Sequence, residues 1–141
     1  MKVRLKYKSI DELPAELLTS LCDVPRLRAI GVNGRLAPIG TVLTVYGIEF
    51  AWGNIFYRVA DPPDGRHSIL CLGLLFEIVD SRISRHWECR IVPEGKIVLW
   101  PASWFVEFYH DQLSEGEPTI VADFTGVKHL LEEEASSAPL T

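Results

Sequence analysis

Lys2 to Lys8 alternates cationic and apolar residues without a break, with Val3, Leu5 and Tyr7 on one side and Lys2, Arg4, Lys6 and Lys8 on the other. A period of two marks a half-buried strand, and a row of positive charge suits a sheet edge, where it discourages pairing with a second molecule. The spacing then changes. Leu13, Leu17, Leu18 and Leu21 predict a helix over Leu13 to Cys22, with Pro14 tolerated in its first turn. Val24-Pro25, Gly31, Asn33-Gly34 and Pro38 predict a loop. Thr41 to Phe50 and Ile55 to Ala60 are rich in β-branched and aromatic residues, and Ala51-Trp52-Gly53-Asn54 joins them as a hairpin turn with Gly and Asn at positive φ. Val42 to Tyr46 is apolar on both faces, as a central strand is.

Asp61-Pro62-Pro63-Asp64-Gly65 predicts a further loop, and Ile69 to Asp80 predicts a short apolar run, a Gly-containing turn and a strand. Arg85 to Val92 alternates again: Trp87, Cys89 and Ile91 are expected to face inward, Glu88 and Arg90 outward. Pro93-Glu94-Gly95 turns the chain into a strand over Lys96 to Trp100. Ser103 is placed to cap a helix carrying Trp104, Phe105, Phe108 and Tyr109; Ser114-Glu115-Gly116 ends it, and Pro118 opens a second helix with Val121, Phe124, Val127 and Leu131. The expectation is one α+β domain over residues 1–131, a small, strongly bent antiparallel sheet with one N-terminal helix and two C-terminal helices, followed by a disordered acidic tail over 132–141.

A chain of 141 residues, 48% apolar and 23% charged, can bury a single core without metal or disulfide staples. Its start lacks the unbroken apolar stretch of a signal peptide, and no run approaches the roughly 18 apolar residues of a spanning helix, so a soluble, cytoplasmic protein that does not engage membranes is expected. Cys22, Cys71 and Cys89 are expected as reduced, largely buried thiols. The net charge of −5 is uneven: residues 1–40 hold seven Lys/Arg and four Asp/Glu, 41–104 six and seven, 105–141 one and eight. An acidic end opposes a phosphate backbone, which argues against nucleic acid and towards a basic protein partner.

Candidate chemistry is thin. His86-Trp87-Glu88 matches the H-x-E half of a zinc-deaminase signature, but no P-C-x-x-C follows Pro93. His86, His110-Asp111 and Asp123 imitate scattered phosphohydrolase ligands, without the helical context those need. Gly31-Val32-Asn33-Gly34 lacks the Lys-Ser/Thr of a phosphate loop. Cys89 as a nucleophile partnered by His110 would be an inward-facing, unreactive thiol. No catalytic residue, cofactor or metal is therefore expected. Among the aromatics, Trp87 and Trp100 read as core, whereas Trp52, beside the hairpin Gly, reads as a partner contact.

"ILCLGLLFEIVD", Ile69 to Asp80, resembles the closing segment of SH3-like barrels, in which a strand, a one-turn helix and a short last strand follow a hairpin such as Thr41 to Ala60. A second likeness is broader. "TVYGIEF", "GNIFYRVAD", "LFEIVDSRIS", "HWECR" and "FYHDQLSEGEP", with the terminal helix, resemble small bacterial immunity proteins of polymorphic and contact-dependent toxin systems over Val42 to Leu131. That resemblance implies a non-enzymatic protein that binds and neutralises a cognate toxin. Glu107, Asp111, Glu115 and Glu117 would then face a basic toxin cleft, and Trp52 or Trp104 would anchor the contact. The alternative is an SH3-like adaptor or regulatory module that binds a peptide or small metabolite.

Overall fold

The cationic alternation at the start becomes strand β1 (Lys2–Leu5), but at the centre of a sheet and not its edge. Val3 and Leu5 are fully buried, and the charges lie on the outer face, where Arg4 pairs with Glu77 at 2.6 Å. Alternation reports which face is wet; it does not report which strands lie alongside. The computed structural model describes residues 1–30, 37–60 and 65–137. The expected loop residues Gly31, Asn33-Gly34 and Asp61 to Asp64, and the end of the chain from residue 138, lie outside these.

Among the described residues the chain is α+β, with two antiparallel sheets and four α-helices. The helices are α1 (Ala15–Leu18), α2 (Val24–Ile30), α3 (Tyr109–Glu115) and α4 (Pro118–Ser136). After β1 come β2 (Val42–Thr44), β3 (Gly47–Ala51), β4 (Asn54–Ala60), β5 (Ser68–Leu72), β6 (Phe76–Asp80), β7 (Trp87–Val92) and β8 (Lys96–Pro101). One sheet has the order β2-β1-β6, the other β5-β4-β3-β8-β7.

The strand expected over Thr41 to Phe50 is two strands, because the chain changes sheets in its middle. Val45 N–H donates to Met1 C=O in the small sheet, and Tyr46 N–H donates to Arg58 C=O in the large one. The central strand expected over Val42 to Tyr46 is therefore not found: β2 is an edge of the small sheet with Val42 46% exposed, and only Val45 and Tyr46, at the passage between the two sheets, are buried. A second passage between sheets is the 3₁₀ turn Gly73–Leu75 joining β5 to β6, as the sequence predicts. The sheets do not close into a barrel: β8 takes the second side of β3.

The helix layout also departs from expectation. Leu13 to Cys22 holds only the single turn α1, and Val24-Pro25 opens α2 instead of a loop. The helix expected from Ser103 is a 3₁₀ turn over Ala102–Phe105, broken at Phe108 (φ 60°) before α3 begins. The break lets Trp104 and Tyr109 both enter the core with Leu113, Phe124 and Leu131. Glu117 caps α4 by accepting from Ile120 N–H at 3.0 Å, with Pro118 in the first turn. The helix runs on to Ser136, so the tail expected from 132 is ordered at least that far. Its charges hold it: Glu132 accepts from Tyr46 Oη at 2.6 Å, and Glu134 accepts from Ser84 Oγ at 2.5 Å and Arg85 N–H at 2.9 Å. Arg82, bidentate to Asp80, donates to the carbonyls of Ala135 and Ser137 at the helix end, where a cation is favoured.

Candidate functional site

Four strands of the large sheet place apolar side chains in one row. Phe50 lies opposite Ile55 on β4 and Ile97 on β8, and Ile97 lies opposite Ile91 on β7. Directly opposed residues share a face. On that face, Ile48, Tyr57 and Val59 are buried with Val3 and Val45 of the small-sheet side, and Leu99 packs against them. The three-stranded sheet does not reach the outer row. Ile55 is 46% exposed, Phe50 39%, Ile97 43% and Ile91 77%. Beside Ile55, a cleft of about 480 Å³ is lined by Tyr57, Gly73, Leu74, Phe76 and Ile78, and Ile78 is itself exposed. A contiguous apolar surface rimmed by polar residues marks an interaction site more often than isolated exposed aliphatics do.

The residues expected at a partner contact are distributed differently. Trp104 is 2% exposed, stacked on Phe124 at 6.0 Å between ring centroids, and lies in the core. Trp52 does sit at the β3–β4 turn, with φ 52°, but its ring is half-buried. Arg26 and Lys96 lie over it at 5.3 and 4.7 Å, and Phe56 meets it edge-on. The positive-φ pair is Trp52-Gly53 and not Gly53-Asn54. Asn54 begins β4, and its side chain accepts from Cys22 N–H and donates to the carbonyls of Cys22 and Trp52, tying the turn to the N-terminal segment. Glu107, Asp111 and Glu115 are exposed around α3, whereas Glu117 is spent on the α4 cap. Asp123, Glu132 and Glu134 turn inward as acceptors for Tyr109, Tyr46 and Ser84, so the acidic third of the chain is partly internal scaffolding.

The groups considered for chemistry do not converge. His110 lies among the rings of Trp100, Trp104 and Tyr109, with centroids 5.0–5.6 Å away. Burial, with a contribution from the Arg58 charge, pushes its pKa down to about 3. Burial and the Asp123 acceptor push the Tyr109 phenol well above its usual value, and burial with Glu132 does the same to Tyr46. Arg58 is bonded to the buried carboxylate of Glu49 at 2.6 Å, where side-chain exposures are 18% and 4%. The two tyrosines and Arg58 have interior partners, whereas His110 has ring contacts and a buried Nε2 without a hydrogen-bond partner. Among the described residues no cluster of three or more His, Cys, Asp or Glu could hold a metal ion, and no helix is long and apolar enough to cross a membrane.

Cys89 corrects the expectation of an inward thiol. It shares a face with Trp87 and Ile91 as the alternation requires, but β7 extends past the opposing layer, and Cys89 is exposed. Cys22 is exposed too, and only Cys71 is buried. The row Ile55-Phe50-Ile97-Ile91 escaped sequence reasoning because its members sit on four strands. Only the register between β3 and β8, some 45 residues apart in the chain, aligns them.

Compared with protein-family models, curated proteins and solved structures, this chain finds no match.

Proposed function

We propose that this chain is a non-enzymatic binding protein, an immunity protein that neutralises a cognate toxin by covering it. The observation that carries the proposal is the exposed row Ile55-Phe50-Ile97-Ile91, an apolar strip four strands wide on the five-stranded sheet. Desolvating such side chains supplies contact energy, and a well-packed anchor contributes about 2 kcal/mol or more. Glu107, Asp111 and Glu115 supply a separate negative patch that would speed encounter with a basic cleft. The test is to mix the purified chain with the toxin encoded by the adjacent gene and to measure affinity and growth rescue. Wild type should bind and rescue, and Phe50→Ser/Ile97→Ser should do neither while keeping its circular dichroism. Absence of binding and rescue by the wild type removes the proposal.

A second function is favoured by the cleft beside Ile55 and Ile78: an SH3-like adaptor that takes an apolar peptide or small metabolite. Its supports are the pairing of β1 with β6, the bent β2–β3 segment shared by the sheets, and the one-turn 3₁₀ segment before β6. A volume of about 480 Å³ lies within the range of small-molecule sites. Thermal-shift screening separates the two, since a cleft ligand raises the melting temperature without any toxin.

A further inference from the structure

Strand β7 is an edge. Among the described residues it pairs only with β8, and its six residues, Trp-Glu-Cys-Arg-Ile-Val, contain neither Pro nor Lys to discourage a neighbour. Glu88, Cys89, Arg90 and Ile91 are all exposed along it, and among the described residues no strand lies on its outer side, although the Arg90 guanidinium rests over the Phe105 ring at 4.2 Å.

We propose that two copies of this chain associate through β7, pairing it antiparallel to itself about a two-fold axis at Cys89, so that the two five-stranded sheets become one of ten strands. The partner is chosen by charge complementarity. In a two-fold antiparallel pair, opposed residues lie on the same face, so the axis must pass through a residue and not between two. An axis at Glu88 sets Glu88 against Glu88, and an axis at Arg90 sets Arg90 against Arg90; both oppose like charges, which destabilises a cross-strand pair. An axis at Cys89 sets Glu88 of each copy opposite Arg90 of the other. Within one chain Arg90 already reaches Glu88 at 2.5 Å, with both side chains about half exposed, so the second copy completes a four-charge ladder. On the other face the same register brings Ile91, the most exposed large apolar side chain among the described residues, opposite Trp87 of the second copy. The contact shares Ile91 with the apolar row of the proposed toxin site but not Phe50 or Ile97, so Phe50→Ser/Ile97→Ser leaves the β7 edge intact and the two proposals fail separately.

The register has a chemical readout. Opposed Cα atoms in an antiparallel pair are about 4.5–5.5 Å apart, inside the span a disulfide bridges. In a Cys22→Ser background, mild oxidation should give a covalent dimer that Cys89→Ser abolishes. Sedimentation of the reduced protein at high micromolar concentration should show a concentration-dependent dimer. Glu88→Arg and Arg90→Glu should each sediment as monomers with wild-type circular dichroism, and the double exchange should restore the dimer. A wild type that stays monomeric, a cross-link that survives Cys89→Ser, or single exchanges that dimerise as well as wild type overturns the proposal; association with a heterologous peptide only, in a wild type that does not self-associate, does so as well.

Discussion

At the scale of single residues, two buried polar groups set measurable behaviour. His110 has a folded-state pKa of about 3 against an ordinary value near 6.5, so between these values the unfolded chain binds the extra proton. Stability therefore falls as pH drops through that window, by up to about 1.4 kcal/mol per pH unit, and levels off below it. Urea unfolding between about pH 6 and pH 4 should show a steeper loss for wild type than for His110→Phe, which keeps the ring and removes the titration. The Glu49–Arg58 pair is the second case. Arg58→Met leaves the Glu49 carboxylate in the core without its cation and should cost about 3–5 kcal/mol, whereas Glu49→Met/Arg58→Met should recover most of that. Sequence inspection placed Glu49 and Arg58 on neighbouring strands but had no means of burying them. Charged residues are usually wet, and only the packing of Trp100 and the C-terminal segment over that face removes the water.

Among the elements, short-range chemistry was legible and end-points were not. The β3–β4 hairpin, the β7–β8 hairpin and the strand–turn–strand over Ile69 to Asp80 follow from alternation and Gly-containing turns. Gly53 tests the first of these: its φ is 73°, and a Cβ there would lie 2.7 Å from Cys22 Sγ. Gly53→Val should lower the unfolding free energy by about 1–3 kcal/mol, read from the urea midpoint. The end of α4 was missed because Glu132-Glu133-Glu134 reads as a solvated run, yet two of the three accept hydrogen bonds from Tyr46 and Ser84, residues remote in the chain. Hydrogen bonds to charged groups are worth about 1.5–3 kcal/mol each, so a chain ending at Leu131 should lose about 3 kcal/mol or more, with a clearly lower melting temperature. If residues 132–137 contributed nothing, the truncated chain would unfold with the full-length one.

For the whole molecule, the decisive feature is the mismatch between a five-stranded sheet and a three-stranded one laid against part of it. The uncovered strip leaves Phe50 and Ile97 partly in water. Replacing either by Ser should therefore change stability by less than about 1.5 kcal/mol, against about 3–5 kcal/mol for Phe56→Ala in the core. Comparing the urea midpoints of the two variants measures that contrast directly. It also separates surface from scaffold before any partner is tested. By itself the sequence determined what local forces decide: the strand-forming segments, the turns that need glycine and the mixed α+β character. These depend on residue periodicity and on φ/ψ preferences that act over a few positions. Tertiary structure alone decided which strands lie side by side, that β1 is central, that Cys89 and Ile91 face solvent while Trp104 does not, and that four aliphatic and aromatic side chains form one row. Those outcomes depend on register between segments far apart in the chain and on how far one layer extends over another, and no local pattern encodes either.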